Sequence, residues 1–259
     1  MLLEEVVFGP IYSRRLGNSL GINLLPTERK FCNYNCVYCE CGWNPKGDAP
    51  DPKTVFRKFD ELKNALESRL KTLQAGKETI DSITFSGNGE PTLHPEFGKI
   101  IDMVLELRNT YAPNAVVSVL TNATQLHRKD VFEALHKIDN PILKLDAGTN
   151  EMRSLINGGV ANAMDIEKLA DNLSRFGGKA VVQTLLLRGE HAGKKIDNTT
   201  DEEFGLWLEY VERIKPRSVM LYAIDRETPE KHLEKLSKKE LEYFADKIRA
   251  KGIPTDTFE

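Results

Sequence analysis

From residue 20 onward, six short apolar runs alternate with amphipathic stretches, and that alternation limits the chain to a small set of folds. The runs cover residues 20–25, 82–86, 116–121, 142–146, 180–187 and 218–224. They are rich in Val, Ile and Leu and mostly stop at Gly, Pro, Asn or Asp, which predicts buried strands. Between them apolar residues recur at steps of three and four, as in Val55, Phe59, Leu62, Leu66, Leu70 and Leu73, or Ile166, Leu169, Leu173 and Phe176. That period predicts helices. Thr200 with Glu203 and Ser237 with Glu240 have capping-box spacing, and Gly177, Gly178 and Gly252 supply left-handed residues past helix ends. Strands that alternate with helices run parallel and are joined by right-handed crossovers. A closed eight-stranded barrel lacks two units. An open α/β barrel and a doubly wound sheet remain, and both place chemistry at the C-terminal ends of the strands.

The 259 residues suit one such domain, read as a lead-in over 1–19 followed by the α/β body over 20–259. A net charge of -3 gives no bulk attraction to nucleic acid, although it leaves room for a local basic patch. The opening residues carry acids rather than a basic targeting region, and no apolar run approaches a membrane span, so a cytoplasmic protein without membrane contact is expected. Residues 42–53 read as a Gly/Pro-rich loop.

All four cysteines, Cys32, Cys36, Cys39 and Cys41, lie between residues 32 and 41. Such a cluster cannot staple a chain of this length, and in a reducing compartment it points to metal binding. Cys32, Cys36 and Cys39 follow the spacing C-x3-C-x2-C and offer three thiolates to a centre that wants four ligands. One position is left for something other than protein. A four-cysteine zinc site using Cys41 competes with this reading, although Cys39-x-Cys41 is tighter than structural zinc usually takes. No cysteine follows Cys41, so one cluster is the limit.

That loop, with FGPIYSRRLGNSLGINLLP before it and GNGEPTLHPEF, KLDAG and LYAIDRETPE after it, resembles the radical S-adenosylmethionine (SAM) superfamily. The branch it resembles is the small-domain one related to the tRNA wyosine synthases, and the likeness runs over nearly the whole chain. It implies a partial (β/α)6 TIM-like barrel, with a 4Fe-4S cluster on Cys32, Cys36 and Cys39. In such enzymes the fourth iron chelates SAM, whose reductive cleavage yields a 5′-deoxyadenosyl radical that abstracts hydrogen from a substrate. The resemblance therefore implies an oxidoreductase served by a reducing electron donor such as flavodoxin or ferredoxin, acting on a modified nucleoside, tRNA or a small molecule. Two rivals stay open: an activase that installs a glycyl radical on a partner protein, and a non-catalytic zinc or Fe-S binding module.

The same likeness assigns cofactor contacts. Tyr38 matches the aromatic that lies near the adenine. Gly87, Asn88, Gly89 and Glu90 match the segment that binds the methionine amino group, with Asn88 where a glycine is usual. Thr121 and Asn122 close the third strand, where they suit ribose or carboxylate as well as a plain turn. Lys144 and Asp146 share one face of the fourth strand by the period of two. Gln183 and Thr184 interrupt an apolar strand and need partners if buried. Tyr222 closes the sixth strand, where relatives contact adenine through backbone. Cys41 is extra to the pattern. Ser13, Arg14 and Arg15 precede the first strand, and their paired arginines suit either an anion clamp or salt bridges bracing the barrel bottom.

Overall fold

Val7–Ser13 (β1) and Gly17–Ile22 (β2) open the chain as an antiparallel hairpin, in a computed structural model that describes residues 2–45, 55–158 and 165–259. Phe59–Ala75 (α1), Ser82–Phe85 (β3), Phe97–Tyr111 (α2), Val116–Thr121 (β4), Lys129–Lys137 (α3) and Asn140–Lys144 (β5) follow. Next come Asn150–Asn157 (α4), Ile166–Ser174 (α5), Val181–Leu185 (β6), Leu187–His191 (β7), Lys194–Asp197 (β8) and Asp201–Ile214 (α6). Ser218–Tyr222 (β9), Leu233–Lys235 (β10), Lys238–Arg249 (α7) and Thr255–Phe258 (β11) complete the described elements.

Eight strands form one curled sheet in the order β1-β2-β3-β4-β5-β6-β9-β11. All its neighbouring pairs except β1-β2 are parallel, giving the partial TIM-like barrel. Strands β10, β7 and β8 make a separate antiparallel sheet. No helix among the described residues is long and apolar enough to cross a membrane.

The sheet faces differ sharply in chemistry. Leu20, Ile22, Ile83, Phe85, Val117, Val119, Leu143, Leu145, Val182, Val219 and Leu221 pack into the main core with the helices. The alternate positions face inward, by the period of two. There Ser19 bonds Thr84 at 2.7 Å, and Ser82 bonds Thr84 at 2.9 Å and Ser118 at 3.1 Å. Closed barrels fill this space with branched apolar layers. Here small hydroxyls and, further round, Lys144 and Tyr222 make that face polar.

Several expectations need correcting. The run at 20–25 is a strand that begins at Gly17 and ends at Ile22, and the run at 180–187 splits between β6 and β7, which belong to different sheets. β11 adds a seventh parallel strand, and α4 and the small sheet were not foreseen. Val55 is exposed and lies before α1. Ser237 and Glu240 do form a capping box, whereas at Thr200 only the side-chain half forms, because the Glu203 carboxylate turns to Gly148 and Thr149. Most of the 42–53 loop lies outside the described residues.

Candidate active site

Three neighbours hold the cysteine loop at the C-terminal ends of the strands. On one side Phe31 N donates to Asn88 O at 2.7 Å and Glu90 N donates to Phe31 O at 3.0 Å. Gly89 permits this approach, since a Cβ there would stand 2.0 Å from Phe31 O. On the other side Asn35 N donates to Asn157 O at 2.7 Å and Val37 N to Ile156 O at 2.9 Å, so the loop lies along the end of α4. The third support is the small sheet and the loop leading into it: Glu230 N donates to Val37 O at 3.2 Å, and Trp43 stacks on His191 with centroids 5.5 Å apart. The Glu203 carboxylate fixes the start of α4 by accepting from Thr149 N and Thr149 Oγ1, each at 2.9 Å.

Each of the three spaced thiols meets a nitrogen donor. Tyr34 N lies 3.4 Å and Asn122 Nδ2 3.8 Å from Cys32 Sγ, while Asn157 Nδ2 lies 3.5 Å from Cys36 Sγ. The Lys30 ammonium bonds Cys39. Burial would lower the pKa of Lys30, but the Cys39, Cys32 and Cys36 sulfurs around it raise it on balance, keeping a buried positive charge among the thiols. Burial pushes Cys32 up and Cys36 to about 11. Cys41 beside it, then Lys30, holds Cys39 low against the opposing effect of burial, and Cys39 and burial together hold Cys41 high. Cys41 also points its thiol at Gly87 O, 3.4 Å away. Cys41 is thus a donor where the other three accept. Among the described residues no three His, Cys, Asp or Glu side chains are grouped to hold one metal ion. The thiolates of a cubane bind three separate irons and need no such convergence.

The expected cofactor contacts divide. Glu90 is buried, and its carboxylate accepts from Thr92 N at 3.0 Å, Thr121 Oγ1 at 2.6 Å, Asn122 N at 2.7 Å and Thr92 Oγ1. It ties the turn after β3 to the end of β4. Burial raises its pKa, opposed by these donors. Removing the acceptor leaves several buried donors unmet, so Glu90→Ala is expected to cost about 3 kcal/mol or more in urea unfolding, and Glu90→Gln about half of that. The Asn88 side chain is engaged by Leu3 N at 2.7 Å, Leu3 O at 2.8 Å and Pro26 O at 2.8 Å, which ties down the lead-in. Gly87 fits because a Cβ there would lie 2.4 Å from Asn23 Oδ1. Asn122 reaches Asn33 Oδ1 at 2.8 Å as well as Cys32.

On the far side Tyr38 donates to Asp146 Oδ2, which also accepts from Asn157 Nδ2 at 2.8 Å, while Asp146 Oδ1 accepts from Leu185 N at 3.0 Å. Lys144 joins this group and bonds Tyr222 Oη at 3.0 Å. Gln183 is the register partner of Lys144. Thr184 is not brought to the site: it alternates with Gln183, stands on the helix side beside Val182, and spends its hydroxyl on Leu145 O at 2.6 Å. Arg14 and Arg15 do not brace the barrel bottom. Arg14 pairs with Asp225 just beyond β9 at 2.8 Å, and Arg15 covers the Tyr222 ring. Sequence reasoning missed Lys30, Asn23, Asn33 and Asn157, single polar residues with no spacing signal.

A polar, partly open barrel with a thiol-bearing loop at its mouth has clear relatives. The model of the Radical SAM superfamily matches residues 30–197. The chain belongs to that superfamily, whose enzymes use a 4Fe-4S cluster and SAM. It is 33% identical over 247 residues to a protein named GTPase Obg from Brachyspira hyodysenteriae, covering 93% of this chain and 33% of that one. The chain thus spans about a third of that relative's length. A radical SAM methyltransferase from Sphaerobacter thermophilus has the same fold, with a TM-score of 0.65 at 17% identity over 93% of this chain and 65% of that chain. TYW1, solved with a lysine-pyruvate adduct bound, superposes with a TM-score of 0.57 at 18% identity over 90% of this chain and 73% of that one.

Proposed function

We propose that Cys32, Cys36 and Cys39 hold a 4Fe-4S cluster and that the protein uses it to generate a radical from SAM. When bound on these thiolates, such a cluster would supply the one electron that splits the sulfonium of SAM into methionine and a 5′-deoxyadenosyl radical able to take hydrogen from a substrate. The observation that carries this reading is the pattern of donors: nitrogen donors serve these three thiols, while Cys41 donates. Hydrogen bonds to cluster sulfurs set the reduction potential, and thiolates must shed their protons to ligate. Lys30 offsets the negative charge of the loop. The turn at Gly87 to Glu90 would receive the methionine ammonium; Gly87 and Gly89 let it pack on Asn23 and Phe31, and Glu90 keeps it against β4. Tyr38, Asp146, Gln183 and Tyr222 line the side where adenosine would lie.

The test is anaerobic reconstitution with iron and sulfide. The expected product is a dithionite-reducible cluster whose paramagnetic spectrum changes when SAM is added and which releases 5′-deoxyadenosine. Zinc at about one per chain with no bound sulfide would instead identify the binding-module rival.

A further inference from the structure

The inner wall of the barrel beside the cysteine loop carries two cations, Lys144, which shares one buried carboxylate with other donors, and Arg15, which has none among the described residues. Lys144 Nζ bonds Tyr38 Oη at 2.8 Å and Tyr222 Oη at 3.0 Å and lies 3.4 Å from Asp146 Oδ2. Arg15 reaches in from the turn between β1 and β2 and lays its guanidinium over the same Tyr222 ring. Its Cζ is 5.0 Å from the ring centroid, and Lys144 Nζ is 5.6 Å from that centroid. Asp146, the carboxylate at this group, is shared among Tyr38, Asn157 and Leu185 N besides Lys144. Arg15 has no carboxylate among the described residues, whereas its neighbour Arg14 has Asp225 at 2.8 Å.

One atom sharpens the point. Arg15 Nη1 is buried and has no hydrogen-bond partner. A tyrosine ring satisfies the face of a guanidinium and leaves its N–H edge unserved. Buried donors in folded proteins are nearly always paired, so an unserved N–H edge beside a second cation marks the seat of an acceptor that arrives with a ligand. SAM does not supply it: adenine and ribose are neutral, the sulfonium is positive, and the family resemblance has the fourth iron chelate SAM through its amino and carboxylate groups. The nearby wall adds neutral groups rather than acids, with Gln183 paired in register to Lys144 and Met220 to Gln183.

We infer that the substrate carries a compact oxyanion, a carboxylate or a phosphate group, which seats in the barrel interior on the N–H edge of Arg15 with Lys144 beside it. Calling that ligand the substrate rests on the radical reading above. Arg15 provides the directed, two-pronged contact, and Lys144 provides charge from the adjoining wall. Tyr222 sets the spacing between them, with Arg15 over its ring and Lys144 at its hydroxyl.

The experiment is calorimetric titration of the iron-replete protein, under anaerobic conditions and fixed ionic strength, with inorganic phosphate, acetate and glycerol. Phosphate or acetate is expected to bind and glycerol not, and whichever anion binds more tightly names the group. Arg15→Gln is expected to weaken that binding about tenfold or more, the loss of a charge-assisted hydrogen bond. Arg15→Lys, which keeps the charge and the fold but not the two-pronged edge, is expected to fall between. Arg14→Gln is expected to bind like the parent. Near-ultraviolet dichroism reports that each variant is folded. Equal anion binding by the parent and by both Arg15 variants, or no anion binding by the parent, overturns the inference. SAM cleavage measured on the same samples separates the two claims. A parent that cleaves SAM without Arg15-dependent anion binding loses this inference alone, and one that binds anions through Arg15 without cleaving SAM loses the radical reading and the name substrate while keeping the anion seat.

Discussion

Cys36→Ala is expected to lose bound iron and to cut 5′-deoxyadenosine formation about a thousandfold or more, equivalent to roughly 4 kcal/mol of barrier. Cys32→Ala and Cys39→Ala should behave alike, and Cys41→Ala should keep its iron and sulfide. The reason lies in where protons and donors sit. Cys36 is buried, receives the Asn157 amide at 3.5 Å and is held as a thiol by burial, a state that gives way when a cationic centre replaces its proton. Cys41 is held protonated and aims its thiol at Gly87 O, a role an alanine forfeits at small cost. Loss of a single sulfur costs the fold itself about 1 kcal/mol. Missing iron in Cys36→Ala would therefore reflect ligation and not unfolding, which metal-free urea curves on parent and variant can verify. Iron and sulfide analysis of the four variants decides the matter: if Cys41→Ala empties the site as fully as Cys36→Ala, the centre takes four thiolates and the open coordination position is gone.

The parts of this architecture that are periodic were legible in the sequence. Ile83, Phe85, Val117, Val119, Leu143 and Leu145 are spaced by two, with Thr84, Ser118 and Lys144 between them, because one face meets helices and the other the barrel interior. The same alternation separates Gln183 from Thr184, since adjacent strand residues cannot share a face, and placing both at the site neglected it. What escaped was short or assembled from afar. α4 has eight residues, and its few apolar positions, Met152, Leu155 and Ile156, pack on a small satellite core with Val37 and Tyr38 that no local pattern announces. β11 reads TDTF, too polar for a buried run, and is a strand because its backbone completes a ladder with β9. Asn33 and Asn157 reach the site through partners on other segments, Asn33 by bonding Asn122 and Thr124 and Asn157 by bonding Cys36 and Asp146. Their roles come from tertiary proximity, which a single sequence does not encode by spacing. The cysteines were legible because one loop supplies all of them.

Gly89→Ala is expected to be among the most damaging single-methyl additions in the chain. A Cβ at this position would lie 2.0 Å from Phe31 O and 2.5 Å from Phe31 C, and the backbone φ of +141° is one that side chains rarely adopt. The obstructing atoms are main chain and cannot rotate aside. Relief requires the GNGEP turn to part from Phe31, which breaks the 2.7 Å bond to Asn88 O and the 3.0 Å bond from Glu90 N. Two buried backbone bonds together with the strained dihedral imply a loss of about 4 kcal/mol, a large share of a typical domain's stability. Gly177→Ala supplies the comparison: its φ is +56° with nothing within 4 Å of the added carbon. Only the left-handed conformation is then penalised, by about 1 kcal/mol. Urea unfolding of the metal-free proteins reads both numbers, and iron retention after reconstitution reads the consequence for Cys32, one residue past the broken contact. A Gly89→Ala protein as stable as Gly177→Ala and equally able to keep iron would show that the cysteine loop does not depend on that turn. The expected result, early unfolding with poor cluster retention, would tie the glycine after β3 to the metal chemistry of the loop after β2.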